Sequence, residues 1–344
     1  MVSIIILNYN GKVFLKDCLD SVLGQSYSDF EVILFDNCSS DGSVEFLKEN
    51  YNTDKVKLIV SEKNLGFAGG NNEALKHADG DYIVLLNNDT IVEKSWLEEL
   101  VRAVNFDANV GIAQSLVYTE GIPLKYFEMN GTLNLFGHNV MRFFDIGEDG
   151  IGDIFMVTGC SFIIKREVLN SIHGLFLDEY FAYAEDSYLS FKIKFAGYRS
   201  IHNSKSVVRH LGGATMKKYR SRFVTYYQER NRILNYLIFF SDSFRRKYYP
   251  YLMMNMLLKF TYSLFIRKYS FLGLVKAYYW ICTNSNWIAG QRAEAGKIKK
   301  VNEEDVLKIL SGKIANGDNL LEVIINRISL TYLKLVNIKV FESY

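Results

Sequence analysis

The stretch Ile83-Val84-Leu85-Leu86-Asn87-Asn88-Asp89 decides the fold, because four aliphatic residues stop abruptly at two amides and a carboxylate. A short apolar run of this kind, set between helix-like stretches, is typical of a buried parallel strand. Two earlier runs end in the same way: residues 4–7 stop at Asn8-Tyr9-Asn10, and residues 32–35 stop at Asp36-Asn37. Open α/β sheets bind ligands beyond the carboxyl ends of their strands. We therefore expect a ligand site where these three polar clusters meet.

Apolar residues at helical spacing follow each of the three clusters and predict connecting helices. Asp41 or Ser43 is expected to cap the second of these helices. Further strands are predicted at residues 56–60 and 110–117. The resulting βαβαβαβ order predicts an α/β fold with a doubly wound, mostly parallel, Rossmann-like sheet.

Two common nucleotide-binding motifs are missing from the sequence. A dinucleotide site requires G-x-G-x-x-G after a strand, and a P-loop requires G-x-x-x-x-G-K-[ST], whereas the first strand is followed by Asn8-Tyr9-Asn10-Gly11. The run Gly66 to Asn72 could offer backbone N–H groups to a phosphate at a helix start. A glycine-rich turn with an asparagine cap explains the same spacing without a ligand.

These segments resemble, in order and spacing, the successive motifs of family 2 glycosyltransferases with a GT-A fold, nearest to the rhamnosyltransferase-like branch. The resemblance spans about residues 2 to 235 and is carried by Val2 to Gly11, Asp36 to Ser43, Asn64 to Asn72, Leu85 to Asp89, Thr158-Gly159-Cys160, Phe181 to Asp186, His210 and Arg230-Asn231. The family implies inverting transfer of a sugar from a nucleotide diphosphate sugar, here a UDP- or dTDP-sugar, to an acceptor hydroxyl.

The resemblance implies a divalent cation, Mg²⁺ or Mn²⁺, because negative charge develops on the leaving diphosphate. Asp89 matches the last acid of the family's D-x-D motif and is the expected metal ligand, while Asn87 replaces the first acid. His210 stands near the position of a metal-binding histidine in some relatives and is the second expected ligand. Two other interpretations remain open: Asn88 and Asp89 could cap the next helix, and a lone histidine is often only a polar residue at a strand end.

Donor binding is expected at the polar strand ends and in the glycine-rich run. Asp36 is expected to bind the nucleobase or ribose, with Asp41 supporting its loop, although D-x-x-x-x-D-G-S is also an ordinary turn sequence. The full set of expected donor-binding residues is Asn8, Asn10, Asp36, Asp41, Asn64, Gly69, Asn72, Asn87 and Asn88.

Asp186 is the expected general base, and Glu185 is expected to orient it or the acceptor. The apolar spacing of Leu189, Phe191 and Ile193 places Asp186 in the first turn of a helix, where the macrodipole favours an ionised carboxylate. An ionised carboxylate can accept a proton. An acid that merely stabilises the start of a helix has the same pattern.

The charge of the chain is strongly polarised although its net value is only +2. Residues 205–300 hold 19 Lys and Arg against 3 Asp and Glu, whereas residues 1–204 hold 16 against 29. Such polarity indicates a partner surface, and nucleic acid is one possibility. The basic residues alternate with aromatic ones, as in residues 244–249 and 262–271, which favours an anionic membrane surface over nucleic acid. An ordinary helical subdomain with these aromatics inside is the alternative.

We accordingly expect a glycosyltransferase domain over residues 1–215 and a helical membrane-interface region over residues 216–344, peripheral to the cytoplasmic face of the cell membrane. Neither long apolar stretch predicts a transmembrane helix, because residues 251–266 are short and residues 271–289 are interrupted by Lys276 and asparagines. No basic leader precedes the first apolar run, so no signal peptide is expected. The cysteines, which are scattered without a C-x-x-C, indicate neither disulfides nor a zinc site: Cys18, Cys38, Cys160 and Cys282.

The glycine-rich segment 118–153 is expected to shape the acceptor side, and residues 301–344 are expected to be helical. The favoured acceptor is a lipid-linked or cell-surface glycan. Two other functions stay open. A nucleotidylyltransferase should carry a basic glycine-rich loop after the first strand, where only Lys12 occurs. A non-catalytic glycan- or nucleotide-binding protein on a degenerate transferase fold is favoured by Asn87 and opposed by the retained acids.

Overall fold

Four parallel strands form the first half of the central sheet in the computed structural model, which describes residues 1–119, 131–140, 147–211, 221–265, 269–314 and 320–341. Their order is β3-β2-β1-β4, and every neighbouring pair is parallel. The predicted alternation of strands and helices is confirmed for this half. Its elements are β1 (Val2–Asn8), α1 (Lys12–Leu23), β2 (Phe30–Asp36), α2 (Ser43–Asn50), β3 (Val56–Val60), α3 (Gly66–Leu75) and β4 (Tyr82–Asn87).

The sheet becomes mixed beyond β4, because the next strand in space comes from much later in the sequence. Its elements are β5 (Thr90–Val92), α4 (Trp96–Val104), β6 (Val110–Thr119), β7 (Thr132–Leu133), β8 (Asn139–Val140), β9 (Ile151–Ile154), β10 (Ser161–Lys165), α5 (Arg166–Ser171), α6 (Glu185–Phe195) and β11 (Arg199–His210). The order continues β4-β10-β6-β11-β5, with β9 on β11, while β7 and β8 form a separate ribbon. Strand β10 is antiparallel to both β4 and β6. The α/β class is confirmed, but antiparallel pairs are as frequent as parallel ones in the described sheet.

The C-terminal half is helical, as expected, and packs directly on the sheet domain. Its helices are α7 (Arg222–Phe239), α8 (Asp242–Phe265), α9 (Phe271–Thr283), α10 (Ser285–Ile298), α11 (Glu303–Leu307) and α12 (Leu320–Leu335). Phe191 and Phe195 of α6 stack on Phe239 of α7 with ring centroids 5.5 and 5.6 Å apart. One hydrophobic core therefore crosses the expected boundary at residues 215 and 216, and the two-domain division stays a prediction.

The aromatic residues of the helical half divide between the core and the surface. Phe240, Phe244 and Tyr248 are buried, so the internal-packing alternative is right for these positions. The aromatic residues Tyr249, Phe265, Phe271 and Tyr279 are exposed, as is the aliphatic Leu257. Arg267 and Lys268, which contribute to the expected basic and aromatic pattern, lie outside the described residues. Among the described helices, none combines the length and the apolar character that crossing a membrane requires.

Candidate active site

The ends of β1 and β2 meet as expected, because the parallel register places Asn8 directly beside Asp36. Both residues are fully buried. The Asn8 amide donates to Asp36 Oδ2 at 2.7 Å and to Ser39 Oγ at 3.1 Å, and Ser39 N donates to Asp36 Oδ1 at 2.8 Å. The Asp36 carboxylate therefore fixes the loop that follows β2.

The β1 and β2 loops are joined further out by Asn10 and Asp41. Asn10 has a positive φ of 51°, and its side-chain oxygen accepts from Ser40 N at 2.8 Å. Asp41 accepts from Lys12 N at 2.9 Å and from Ser43 N at 3.1 Å. Asp41 thus binds the first residue of α2 and also the start of α1. The prediction that Asp41 or Ser43 caps α2 is wrong, because Gly42 is the N-cap and no side chain caps this helix.

The glycine-rich run splits into two parts with different surroundings. Asn64 Oδ1 accepts from Gly66 N at 2.8 Å and from the Asn37 amide at 3.1 Å, which fixes the turn next to the β2 end. The Asn72 amide instead donates to Phe176 O and to Asp178 Oδ1, and Gly69 also lies beside Asp178. The structure therefore brings Asn64 to the strand ends, whereas Gly69 and Asn72 contact the segment before α6. Their roles in donor binding stay predictions.

The end of β4 joins the same polar group through Asn88, whose amide donates to Asn8 Oδ1 at 2.7 Å. A Cβ at Gly11 would overlap this Asn88 amide, so the close approach requires a glycine. Asn87 adjoins Asn88 and ends β4, with its N–H donating to Cys160 O at 2.9 Å. The alternative in which Asn88 and Asp89 cap the helix containing Trp96 is wrong, since β5 intervenes and Ser95 precedes that helix. We name Asn8, Asp36, Asn87, Asn88 and Asp89 the sheet edge.

Asp89 and His210 are brought together across 121 positions of sequence, with Asp89 Oδ1 and His210 Nε2 3.1 Å apart. The cause is strand pairing, because β11 runs antiparallel to β5 and places His210 opposite Thr90. The Asp89 side chain is 15% exposed and that of His210 is 26% exposed, so both can be reached from solvent.

The Asp89 and His210 pair fits part of the coordination sphere of a divalent cation. Two neighbouring ligands of an octahedral ion with bonds of about 2.1 Å lie about 3 Å apart, which matches the observed separation. Within the described ranges, no group of three or more His, Cys, Asp or Glu side chains could complete a site made only of protein. Mg²⁺ commonly uses one or two carboxylates together with substrate phosphates, so a site with few protein ligands is compatible with this ion.

A strained backbone segment positions the two acids of the expected catalytic pair. Phe181, Tyr183 and Ala184 all have positive φ, at 58°, 69° and 62°, directly before Glu185 and Asp186 at the start of α6. Non-glycine residues in this region cost roughly 1–3 kcal/mol each, so the surroundings must hold them in place.

Asn231 of α7 supplies that restraint. Its buried amide lies within hydrogen-bond distance of three carbonyls, and Asn235 donates to Ala184 O at 3.2 Å. The carbonyls next to Asn231 Nδ2 are those of Tyr180, Ala182 and Tyr183, at 2.9, 3.0 and 2.7 Å. Arg230-Asn231 was noted in the sequence without a role, and the structure shows that Asn231 fixes the segment carrying the acids.

The two acids differ in their hydrogen bonds. Asp186 accepts from Ser187 N at 2.6 Å and also from the backbone of Gly159, whereas Glu185 Oε2 is buried with no hydrogen-bond partner. Burial raises the pKa of both carboxyls, and the neighbouring Asp186 raises that of Glu185 further. Backbone donors oppose the rise for Asp186, so Asp186 is the acid better suited to ionise. Gly159 was part of the noted sequence pattern, but its contact with Asp186 was not predicted.

Asp186 borders a cavity of about 520 Å³ that is open to solvent. Part of the glycine-rich segment lines this cavity through Gly137, His138 and Asn139, next to the expected base. Residues 120–130 and 141–146 of that segment lie outside the described residues. The sequence indicated no ligand role for His138, and it placed Tyr269 in the basic and aromatic membrane-interface pattern. It did not single out Gln228 or Arg232, and all four residues line this cavity.

Comparisons with known proteins show which family the chain resembles. Residues 3–172 match the model of the family described as Glycosyl transferase family 2. Glycosyltransferase GlyG of Streptococcus pneumoniae is 29% identical over 181 residues, covering 50% of this chain and 59% of GlyG. Across four similar curated proteins, the chain spans from 19% to 74% of their length.

Two solved structures share the fold. GalNAc-T7, crystallised with UDP, GalNAc and Mn²⁺, superposes with a TM-score of 0.60 at 18% identity over 72% of this chain and 50% of its own. TarS 1–349 of S. aureus in complex with UDP-GlcNAc superposes with a TM-score of 0.55 at 14% identity over 97% of this chain and 90% of its own. At these identities the likeness establishes the fold, and the predicted GT-A-type fold is confirmed. The rhamnosyltransferase-like branch is not confirmed.

Proposed function

Since this chain belongs to glycosyl transferase family 2, with residues 3–172 matching the family model, we propose that it is an inverting glycosyltransferase that moves a sugar from a nucleotide diphosphate sugar to an acceptor hydroxyl. The observation that carries the proposal is the pairing of Asp89 with His210 beside the polar sheet edge. A second acid, Asp186, stands at a separate cavity and is available for the acceptor.

We assign the sheet edge and its loops to the donor, a UDP- or dTDP-sugar that delivers a hexosyl or deoxyhexosyl group. Asp36 and Asn8 keep the β1 and β2 loops in place, and Asn10 and Asp41 extend this support outward. The nucleoside is proposed to lie against these loops, with its diphosphate directed to Asp89. UDP and sugar ligands in the structures of similar fold support this class of donor.

Asp89 and His210 are proposed to hold Mg²⁺ or Mn²⁺ together with the diphosphate. A cation bound there would supply positive charge for the leaving group. The Mn²⁺ in the GalNAc-T7 structure is consistent with this assignment.

Asp186 is proposed to act as the general base. In the transfer step, the acceptor oxygen forms a bond to the anomeric carbon as its proton passes to the Asp186 carboxylate. The bond from that carbon to the diphosphate breaks, and its electron pair leaves with the diphosphate. Glu185 is buried next to Asp186. It is proposed to stay protonated during this step, since a second negative charge next to Asp186 would be costly.

The acceptor is proposed to be a lipid-linked or cell-surface glycan in polysaccharide biosynthesis, reached from the cytoplasmic face of the membrane. Exposed apolar residues on α8 support peripheral attachment, because Tyr249, Met253 and Leu257 are spaced by four residues and share one helix face. Exposed Arg246 and Lys276 provide nearby positive charge for anionic lipid.

Vesicle sedimentation tests this attachment. Leu257→Glu should reduce binding to vesicles that contain anionic lipid, and binding should fall with salt because the attraction is screened within a Debye length. Phe106→Glu is the matched control, since Phe106 is also an exposed apolar residue but lies after α4 in the sheet domain. Equal binding to neutral and anionic vesicles at every salt concentration would contradict the proposal.

The test of the function itself is a panel of UDP-, dTDP- and GDP-sugars offered with Mg²⁺ or Mn²⁺ to the full chain. The expected result is metal-dependent thermal stabilisation by one donor and slow hydrolysis of that donor. Asn87, in place of an acid, favours the second candidate, a non-catalytic binding protein. That candidate predicts thermal stabilisation by a donor without turnover on any acceptor. If no donor stabilises the protein and none is turned over, the transferase and the binding protein are both rejected.

A further inference from the structure

Resting on the proposed function, we propose that the cavity beside Asp186 takes an acceptor unit that bears a negative charge, a carboxylate or a phosphate, and that Arg232 recognises this charge. The cavity, of about 520 Å³, is within the range of small-molecule sites. Its wall combines polar side chains from four separate parts of the chain: His138 and Asn139, Asp186, Gln228 and Arg232, and Tyr269.

Arg232 is only 8% exposed, yet it borders the cavity. Its side chain is therefore held at the cavity wall by buried contacts. Its Nε donates to Gln228 O at 2.9 Å, one terminal nitrogen contacts Phe136 O and His138, and the other donates to Glu229. A guanidinium has five N–H groups. Among the described residues, these contacts occupy four of them and leave one N–H of the second terminal nitrogen for a ligand.

Glu229 cannot use that remaining donor, because its carboxylate is already saturated. Oε1 accepts from Asn255 at 3.2 Å and from Tyr278 at 2.7 Å, while Oε2 accepts from Lys259 at 2.5 Å and from Arg232. A carboxylate offers about four acceptor positions. Two cations therefore share one saturated carboxylate, and the wall at Arg232 favours a ligand that brings negative charge.

The other side of the cavity imposes a second requirement on the ligand. Asp186 also borders the cavity and, as the proposed base, must face a hydroxyl rather than another anion. A ligand that meets both conditions carries a hydroxyl at one end and an anionic group at the other. Uronic acids and sugar or polyol phosphates have this chemistry, whereas neutral hexoses supply the hydroxyl but not the anionic group.

A purely structural role for Arg232 makes a different prediction. Arg232 packs against Gly137 and binds Phe136 O, so it also secures the turn that precedes β8. If this were its whole function, the cavity would not distinguish charged from neutral sugars.

The experiment compares methyl glucuronoside with methyl glucoside, which differ in the carboxylate, and glycerol phosphate with glycerol, by ligand-observed NMR titration of the full chain. We expect at least one anionic probe to bind roughly tenfold or more tightly than its neutral partner, the scale of a hydrogen bond to a charged group. Which pair shows the difference separates a carboxylate from a phosphate.

Gln228→Glu and Gln228→Met form the matched pair of variants, because both keep the side-chain length and leave the Glu229 contacts intact. Gln228→Glu should remove most of the preference for the anionic probe by adding a negative charge to the wall, and Gln228→Met should retain it. Arg232→Gln should abolish the preference if the variant folds, and the Gln228 pair decides the question if it does not.

UDP binding with Mn²⁺, measured on the same samples, separates this inference from the proposed function. If UDP binds and the charged and neutral probes bind equally to the wild type, the inference on the acceptor is wrong and the transferase proposal stands. If neither UDP nor dTDP binds with Mn²⁺, the proposed function fails. A charge preference that Gln228→Glu leaves unchanged would also reject the cavity as its origin.

Discussion

The sheet edge and the cavity wall are built in opposite ways. At the sheet edge, Asn8 and Asp36 end β1 and β2, and Asn88 directly follows β4. Regular strand pairing brings the three residues together, with Asn8 in contact with both of the others. At the cavity, Asp186 and Arg232 come from α6 and α7, and each depends on contacts with other parts of the chain. A local pattern can therefore specify the first site, whereas the second requires the assembled core.

The sharpest test of this contrast is Asp186→Asn, which keeps the shape of the side chain and removes its ability to accept a proton. If the cavity side performs the proton transfer and the sheet edge only binds the donor, turnover should fall by roughly 10²- to 10⁴-fold. Donor affinity, measured by calorimetry, should stay near that of the wild type. Near-normal kcat on the true acceptor would remove Asp186 from the role of base, and equal losses of affinity and rate would place it on the donor side.

The second test concerns the buried network that supports the cavity wall. Glu229→Gln leaves Arg232 and Lys259 buried without their counter-ion, so the free energy of unfolding should fall by roughly 3–5 kcal/mol. The matched control is Glu294→Gln, which breaks an exposed pair with Lys297 and should cost at most about 1 kcal/mol. Denaturant titration of both variants measures the difference. Equal small losses would mean that Glu229 does not hold this region together.

A smaller effect is expected at the sheet edge, where the proposed metal ligands Asp89 and His210 are partly exposed and the diphosphate would supply further ligands. Asp89→Ala should weaken metal-dependent donor binding by roughly tenfold or more, the scale seen when metal sites lose a supporting group. His210→Ala should weaken it less, because no charge is removed. Asp54→Ala, an exposed acid just before β3, serves as the control. Unchanged metal and donor affinity in Asp89→Ala would show that Asp89 is not a ligand, and the same result in His210→Ala would exclude His210.

A further effect is a pH dependence of stability that originates at Glu185. Burial and the neighbouring Asp186 raise the pKa of this carboxyl from 4.5 to about 8, so the folded state holds a proton that the unfolded state releases. Its stabilising contribution is full below about pH 4.5 and is lost as the pH rises toward 8. Glu185→Gln is neutral at every pH and should therefore flatten the decline in the melting temperature across this range. A decline as steep as that of the wild type would assign the effect to other groups.

Much of the donor side could be predicted because its determinants are local. Apolar runs ending in Asn8, Asp36 and Asn87 indicated strands whose ends share an edge, and parallel register makes this outcome nearly automatic. Asp89 and His210 were named separately, and their contact depended on β11 pairing with the short strand β5. Gly69 and Asn72 were grouped with the donor residues, although their surroundings belong to the segment before α6.

By itself, the sequence determined the α/β class, the parallel half of the sheet and the polar character of its edge, since strand periodicity and turn chemistry act over a few residues. Only the tertiary structure decided that β10 enters the sheet antiparallel beside β4, that Asn231 restrains the segment before Asp186, and that Glu229 shares its charge between Arg232 and Lys259. The physical reason is that each of these three features includes at least one contact between residues that are 30 or more positions apart in the sequence. These contacts are strengthened by burial in a common core. A local sequence pattern does not indicate which distant residues share that core.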